Sequence, residues 1–155
     1  MNQPPYSRAR CILALDFGMR RIGVATANSV TATASALTTI SARHGEPDWK
    51  SLDRVVVEWE PELLVLGLPY NTDGSESEMT ATVRQFRKQL ASRYSLQVAT
   101  VDEHYSSVEA EALLKTARQQ GTKSRRINKE DVDSLAAKLI AERWLNNQAN
   151  DLTDE

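Results

Sequence analysis

The sequence predicts an α/β fold, a mixed five-stranded sheet with helices on both faces. Three observations point to it. Two apolar runs near the start are separated by one short turn. Strand-like runs then alternate with stretches of helical periodicity. The run Leu63-Leu64-Val65-Leu66-Gly67-Leu68 is apolar at every position, as in a central strand covered on both faces. Three antiparallel strands followed by crossover connections give such a sheet.

The elements follow in order. Cys11 to Leu15 is apolar at both parities and predicts the first strand; Ile22 to Ala27 predicts the second, completing a hairpin. Residues 32–40 (ATASALTTI) are rich in threonine and small residues and predict a third strand. A helix starts near Asp48, with Leu52, Val55, Val56 and Trp59 on one face, and Pro61 ends it. The fourth strand is Leu63–Leu68. Ser75 and Glu78 have capping-box spacing, and Met79, Val83, Phe86 and Leu90 line one face of a helix to about Arg93. Leu96 to Val101 predicts the fifth strand, with Asp102-Glu103 at its end. Ser106 and Glu109 repeat the capping spacing before a short helix through Leu114. The last helix starts between Asn128 and Asp131, with Val132, Leu135, Ala136, Leu139 and Trp144 inward, and NNQANDLTDE reads as a frayed tail.

The 155 residues are 41% hydrophobic, enough for the core of one domain, expected over 1–155 with flexible ends at about 1–10 and 148–155. A net charge of -2 excludes coating of nucleic acid by bulk charge, so any such contact needs a local patch. RQQGTKSRRINK, residues 118–129, supplies five cations and no acid, suited either to phosphate contact or to a solvated surface. The single cysteine, Cys11, excludes a disulfide within the chain and a cysteine metal site, and reads as a small core residue. With no apolar run of membrane-spanning length and no signal-peptide pattern at MNQPPYSRAR, the expectation is a cytoplasmic protein with no membrane partner.

The chemistry concentrates at element ends. Asp16 follows the first strand, Asp102-Glu103 the fifth, and Asp133 lies in the first turn of the last helix. Carboxylates gathered at one sheet edge repel one another unless a divalent cation neutralises them, and an all-oxygen set suits Mg²⁺ or Mn²⁺. Such sites serve phosphate chemistry. Taken singly, Asp16 could cap a turn, Asp102 could pair with an arginine, and Asp133 could meet the helix dipole. Ala136 and Ala137, one turn beyond Asp133, would let that helix lie close to the sheet.

LALDFGMRRIGVA, GLPYNTDGSES, VDEHYSSVEAEALL and KEDVDSLAAKLIAERWL, in this order from about residue 11 to 147, resemble the motifs of the YqgF family, also called RuvX. The resemblance implies an RNase H-like fold and a metal-dependent nuclease, a hydrolase of phosphodiester bonds. It also implies a role in maturing the precursor of 16S ribosomal RNA, with a Holliday junction (branched DNA) as the alternative substrate. Carried over, the catalytic residues are Asp16, Glu103 and Asp133, with Asp102 as a further metal ligand, and either Glu103 or its neighbour Asp102 could be the main ligand of the Asp-Glu pair. Gly18 would let a phosphate approach the backbone, and Arg20, Arg21, Asn71, Lys123, Arg125 and Arg126 would bind the nucleic acid. Two departures stand out. RNase H-like nucleases often carry an acid on the fourth strand, where this chain has Gly67-Leu68-Pro69, and the family's arginine after Asp-Glu is His104 here.

Two rival functions belong to other classes. An actin-like ATPase shares the strand-one Asp-x-Gly but needs two such domains. A non-catalytic RNA-binding assembly factor would keep the fold and lose the chemistry.

Overall fold

A computed structural model describes residues 11–71, 73–103 and 129–153. The expected helix through Leu114, His104, and the cations Lys123, Arg125 and Arg126 lie outside the described residues. In chain order the elements are β1 (Ile12–Asp16), β2 (Arg21–Asn28), β3 (Thr33–Arg43), β4 (Glu46–Pro47), α1 (Trp49–Trp59), β5 (Leu63–Pro69), α2 (Glu78–Tyr94), β6 (Val98–Glu103) and α3 (Lys129–Thr153). The sheet order is β4-β3-β2-β1-β5-β6: β1 to β4 are antiparallel, while β5 pairs parallel with both β1 and β6.

The mixed α/β architecture is the expected one, with six strands rather than five. The sixth is β4, two residues joined to β3 by a tight turn at His44 (φ 51°) and Gly45 (φ 80°). Two left-handed residues in succession suit a hairpin turn and leave no hydrophobic period to read. β3 runs to Arg43, past the expected end at Ile40, because its polar final residues face solvent and lack an apolar signal. β6 begins at Val98 and contains Asp102 and Glu103 instead of ending before them. The capping box at α2 is Ser77 with Thr80, not Ser75 with Glu78: Ser77 Oγ accepts from the Thr80 amide, and the Ser77 amide donates to Thr80 Oγ1. Ser75 is instead tied to Asp73 within the preceding loop. The supposed frayed tail continues α3 to Thr153. Cys11 is half-buried, its Sγ 3.3 Å from the Trp59 carbonyl.

The alternation of each strand sorts its residues between two cores. On one face Leu13, Leu15, Ile22, Val24, Leu64 and Leu66 pack under α1 and α2 through Leu52, Val83, Phe86 and Leu90. On the other, Ile12, Ala14, Ala25, Ala27, Leu63, Val65 and Val101 pack under α3 through Ala137, Ile140, Ala141 and Trp144. No described helix is long and apolar enough to cross a membrane.

The α3 face is built from small residues where helix and sheet meet. Ala136 and Ala137 are fully buried. Opposite them, a Cβ on Gly23 of β2 would lie 1.9 Å from the backbone carbonyl oxygen of Asp133. No side chain tolerates that approach, so the start of α3 rests directly on the β2 backbone. Replacing Gly23 with Ala should therefore cost about 1–3 kcal/mol in urea unfolding, as overpacking does; an unchanged midpoint and slope would show that α3 does not sit there.

Candidate active site

Asp16 ends β1, the strand at the centre of the mixed sheet, and its antiparallel partner is Gly23. On the other side β1 pairs with β5 through Leu15 and Leu66, so Gly67 follows at the level of Asp16. By strand alternation Asp16, Gly23 and Gly67 share the α3 face with Ile12, Ala14, Val65 and Val101. Both flanks of the carboxylate are thus glycines, and each vacated volume is used. The start of α3 fills the space over Gly23, while a Cβ on Gly67 would stand 2.8 Å from Glu103 Oε2 and 2.7 Å from Ile140 Cδ1. Glu103, reaching from β6, occupies the space a side chain at 67 would take.

The result is a half-buried carboxyl pair. Burial raises the Asp16 pKa well above the usual carboxylate range; the charge of Glu103, a hydrogen bond to the Glu103 side chain and the charge of Asp133 push it further in the same direction. A hydrogen bond that raises the Asp16 pKa is one in which protonated Asp16 donates and Glu103 accepts. Asp133, one turn into α3, is engaged differently: Arg21 Nε donates to its Oδ2 at 2.7 Å, with both side chains partly buried. Arg21 begins β2 two residues before Gly23, so its side chain lies on the same face.

The structure therefore brings together Asp16, Glu103, Asp133 and Arg21. Asp102 is exposed and, by alternation from Glu103, points to the other face; its backbone carbonyl accepts from Arg143 of α3. Arg20 is exposed at the turn. Gly18 serves that turn, since a Cβ there would be 2.5 Å from the Arg21 carbonyl oxygen. Asn71 closes the loop after β5, its side-chain amide 3.0 Å from Ser75 Oγ. Sequence reasoning gives Gly23 and Gly67 no part in the site. Their signal is a glycine inside a strand, which marks a close approach of something else.

The donors fit a hard divalent cation in kind: all are carboxylate oxygens, and a protonated Asp16 beside Glu103 is what repulsion produces when no cation balances them. Among the described residues no three such side chains are placed to hold a metal ion, and Asp133 is engaged by Arg21.

The family model for RuvX, described as Holliday junction resolvase, matches residues 10–147. The chain belongs to the RuvX family. A relative from Yersinia enterocolitica serotype O:8, named "Putative pre-16S rRNA nuclease", is 43% identical over 140 residues, covering 90% of this chain and 97% of the relative. Among solved structures, the yeast mitochondrial Holliday junction resolvase Ydc2 superposes with a TM-score of 0.57 at 11% identity, covering 95% of this chain and 82% of that one. Thermus thermophilus RuvC in complex with a Holliday junction substrate gives 0.52 at 14% identity, covering 91% and 96%. At those identities the likeness concerns the fold, which is the expected RNase H-like one.

The Asp16 shift fixes a pH dependence for this RuvX member. The unfolded chain loses the Asp16 proton near pH ~3.9, whereas the folded chain keeps it to a higher pH. Between the two values the folded state binds more protons, so stability is greatest below the unfolded value and falls as pH rises through the folded one. Asp53, held at about 2 by hydrogen bonds from Arg93 and Tyr94, changes stability only below that window. In a chelating buffer the melting temperature should decline as pH rises from about 4 toward neutrality, and Asp16→Asn should lose most of that decline and melt higher than the parent at pH 7. Parallel pH profiles for the two proteins would rule out a charge conflict at Asp16.

Proposed function

We propose that this protein is a metal-dependent nuclease that hydrolyses phosphodiester bonds in 5′-end maturation of precursor 16S ribosomal RNA. One observation carries the catalytic part: Asp16 and Glu103 form a half-buried carboxyl pair, with Asp133 close enough for its charge to act on Asp16. A fold gains nothing from such a cluster, since like charges on one sheet face destabilise it. The cluster is intelligible as a cation seat. Bound there, Mg²⁺ or Mn²⁺ would polarise a phosphoryl oxygen and favour formation of the attacking hydroxide. Asp16 and Glu103 would hold it, with Asp16 in its ionised form. Arg21 orients Asp133 toward the pair and brings positive charge to the side from which a phosphate would approach.

The RNA assignment draws on the name of the Yersinia relative, and it carries a cytoplasmic location with it. The description of the family model and the shared fold with resolvases support branched DNA as the second substrate. The two are separated by offering precursor 16S ribosomal RNA and a four-way DNA junction side by side with Mg²⁺ or Mn²⁺. The parent should cleave the RNA. Asp16→Asn and Glu103→Gln should each lower the rate by at least the roughly 10–100-fold that losing a group supporting a metal ligand costs, while retaining RNA binding. Cleavage of the junction alone would make the protein a resolvase. RNA binding without cleavage by the parent under all these conditions would make it an assembly factor.

A further inference from the structure

The exposed end of the β2–β3 ladder carries a feature that the carboxyl site does not use. The β1–β2 turn and the β3–β4 turn are fastened together by two backbone hydrogen bonds, Ala42 N to Arg20 O at 2.8 Å and Gly45 N to Met19 O at 2.9 Å. Between them lies a cleft of about 290 Å³ lined by Met19, Arg20, Ala42, Arg43 and His44. Arg20, Arg43 and His44 are exposed, no acidic residue lines the cleft, and among the described residues none of the three pairs with a carboxylate. The acid nearest in the ladder is Glu46, paired with Arg43 across β3 and β4, and its carboxylate accepts from Trp49 Nε1 at 2.9 Å. In a chain of net charge -2, two arginines held on two clamped turns, neither in a salt bridge with a described carboxylate, form a local basic patch.

Their position gives the patch a direction. Ser41 pairs with Arg21, so Arg43 falls two residues further along β3 on the face that carries Arg21, Asp133 and Asp16. From strand spacing and rise, Arg43 lies roughly 17 Å from Asp16 with Arg21 between them. A chain of phosphates crossing the carboxyl pair would reach the cleft after a few nucleotides. Met19, 43% exposed, offers the apolar surface beside it against which a base or sugar could rest.

We infer that the Met19–His44 cleft is a docking site for the phosphodiester backbone of the nucleic acid, flanking the carboxyl pair. This rests on the reading of the protein as a nuclease, and binding measured without metal separates the two. A labelled single-stranded RNA and a four-way DNA junction are titrated in EDTA, where nothing is cleaved, at several salt concentrations. Arg20→Ala/Arg43→Ala should weaken binding and flatten the logarithmic salt dependence by roughly 1.4 for the single strand, about 0.7 for each phosphate no longer neutralised. Lys50→Ala/Arg54→Ala on α1, the same change of charge at exposed positions that do not line the cleft, should leave the slope unaltered. Adding His44→Ala to the double variant should weaken binding further. If only one of the two probes responds, that nucleic acid is the one the cleft receives. An unchanged slope for Arg20→Ala/Arg43→Ala, or an equal loss in the α1 variant, overturns the inference and leaves the nuclease reading standing; failure of the parent to bind either probe overturns both.

Discussion

The structure turns on one electrostatic conflict, a carboxylate placed at the buried end of the central strand with two more acids brought toward it. Asp16 cannot be moved without breaking the pairing of β1 with β2 and β5, and Glu103 and Asp133 come from elements whose own packing fixes them. The conflict is contained in two ways. Burial and the neighbouring acids raise the Asp16 pKa, which favours its neutral form, and Asp133 is balanced by Arg21. On the proposed reading a divalent cation would take the place of both arrangements, a role the other polar clusters do not invite. The Asp53, Arg93 and Tyr94 cluster, by contrast, is fully matched in charge and simply ties α1 to α2, with Arg93 also lying over the Trp49 ring.

What makes the convergence possible is the absence of side chains. Gly23 admits the backbone at the start of α3, and Gly67 admits the carboxylate of Glu103. This accounts for the departure on the fourth strand of the expected fold. An acid there would compete with Glu103 for the same volume; in this chain the neighbouring strand supplies the carboxylate and the glycine makes room. Ala136 and Ala137 continue the same logic along α3. Strand alternation then decides between the adjacent acids of β6: Glu103 shares the face of Val101 and Asp16, and Asp102 does not.

Much of this is legible in the sequence because the hydrophobic periods are long and clean. The runs at 11–15, 22–27 and 63–68 are strands within one residue of expectation, and the face of α2 is the one its apolar spacing marks. The elements that escape have no such period. β4 is two residues long, and the end of β3 is polar because it borders solvent. The cap of α2 is misplaced in sequence because Ser75 with Glu78 fits the spacing rule, whereas Ser75 is engaged by Asp73 and Ser77 caps the helix with Thr80 at N3. At the site, Asp16 and Asp133 stand out as acids at element ends. The engagement of Arg21 with Asp133 does not, since it joins residues 112 apart in the chain and depends on α3 crossing β2 at Gly23.

On the proposed reading, the Asp16–Glu103 pair holds a divalent cation. The most direct measurement is the melting temperature of the parent, Asp16→Asn and Glu103→Gln with and without excess Mg²⁺ or Mn²⁺ at pH 7, since an ion that binds only the folded state raises it. The account predicts a clear upward shift for the parent and little or none for either variant, with Asp16→Asn starting from the higher metal-free value. Equal metal-induced shifts in all three proteins would contradict it.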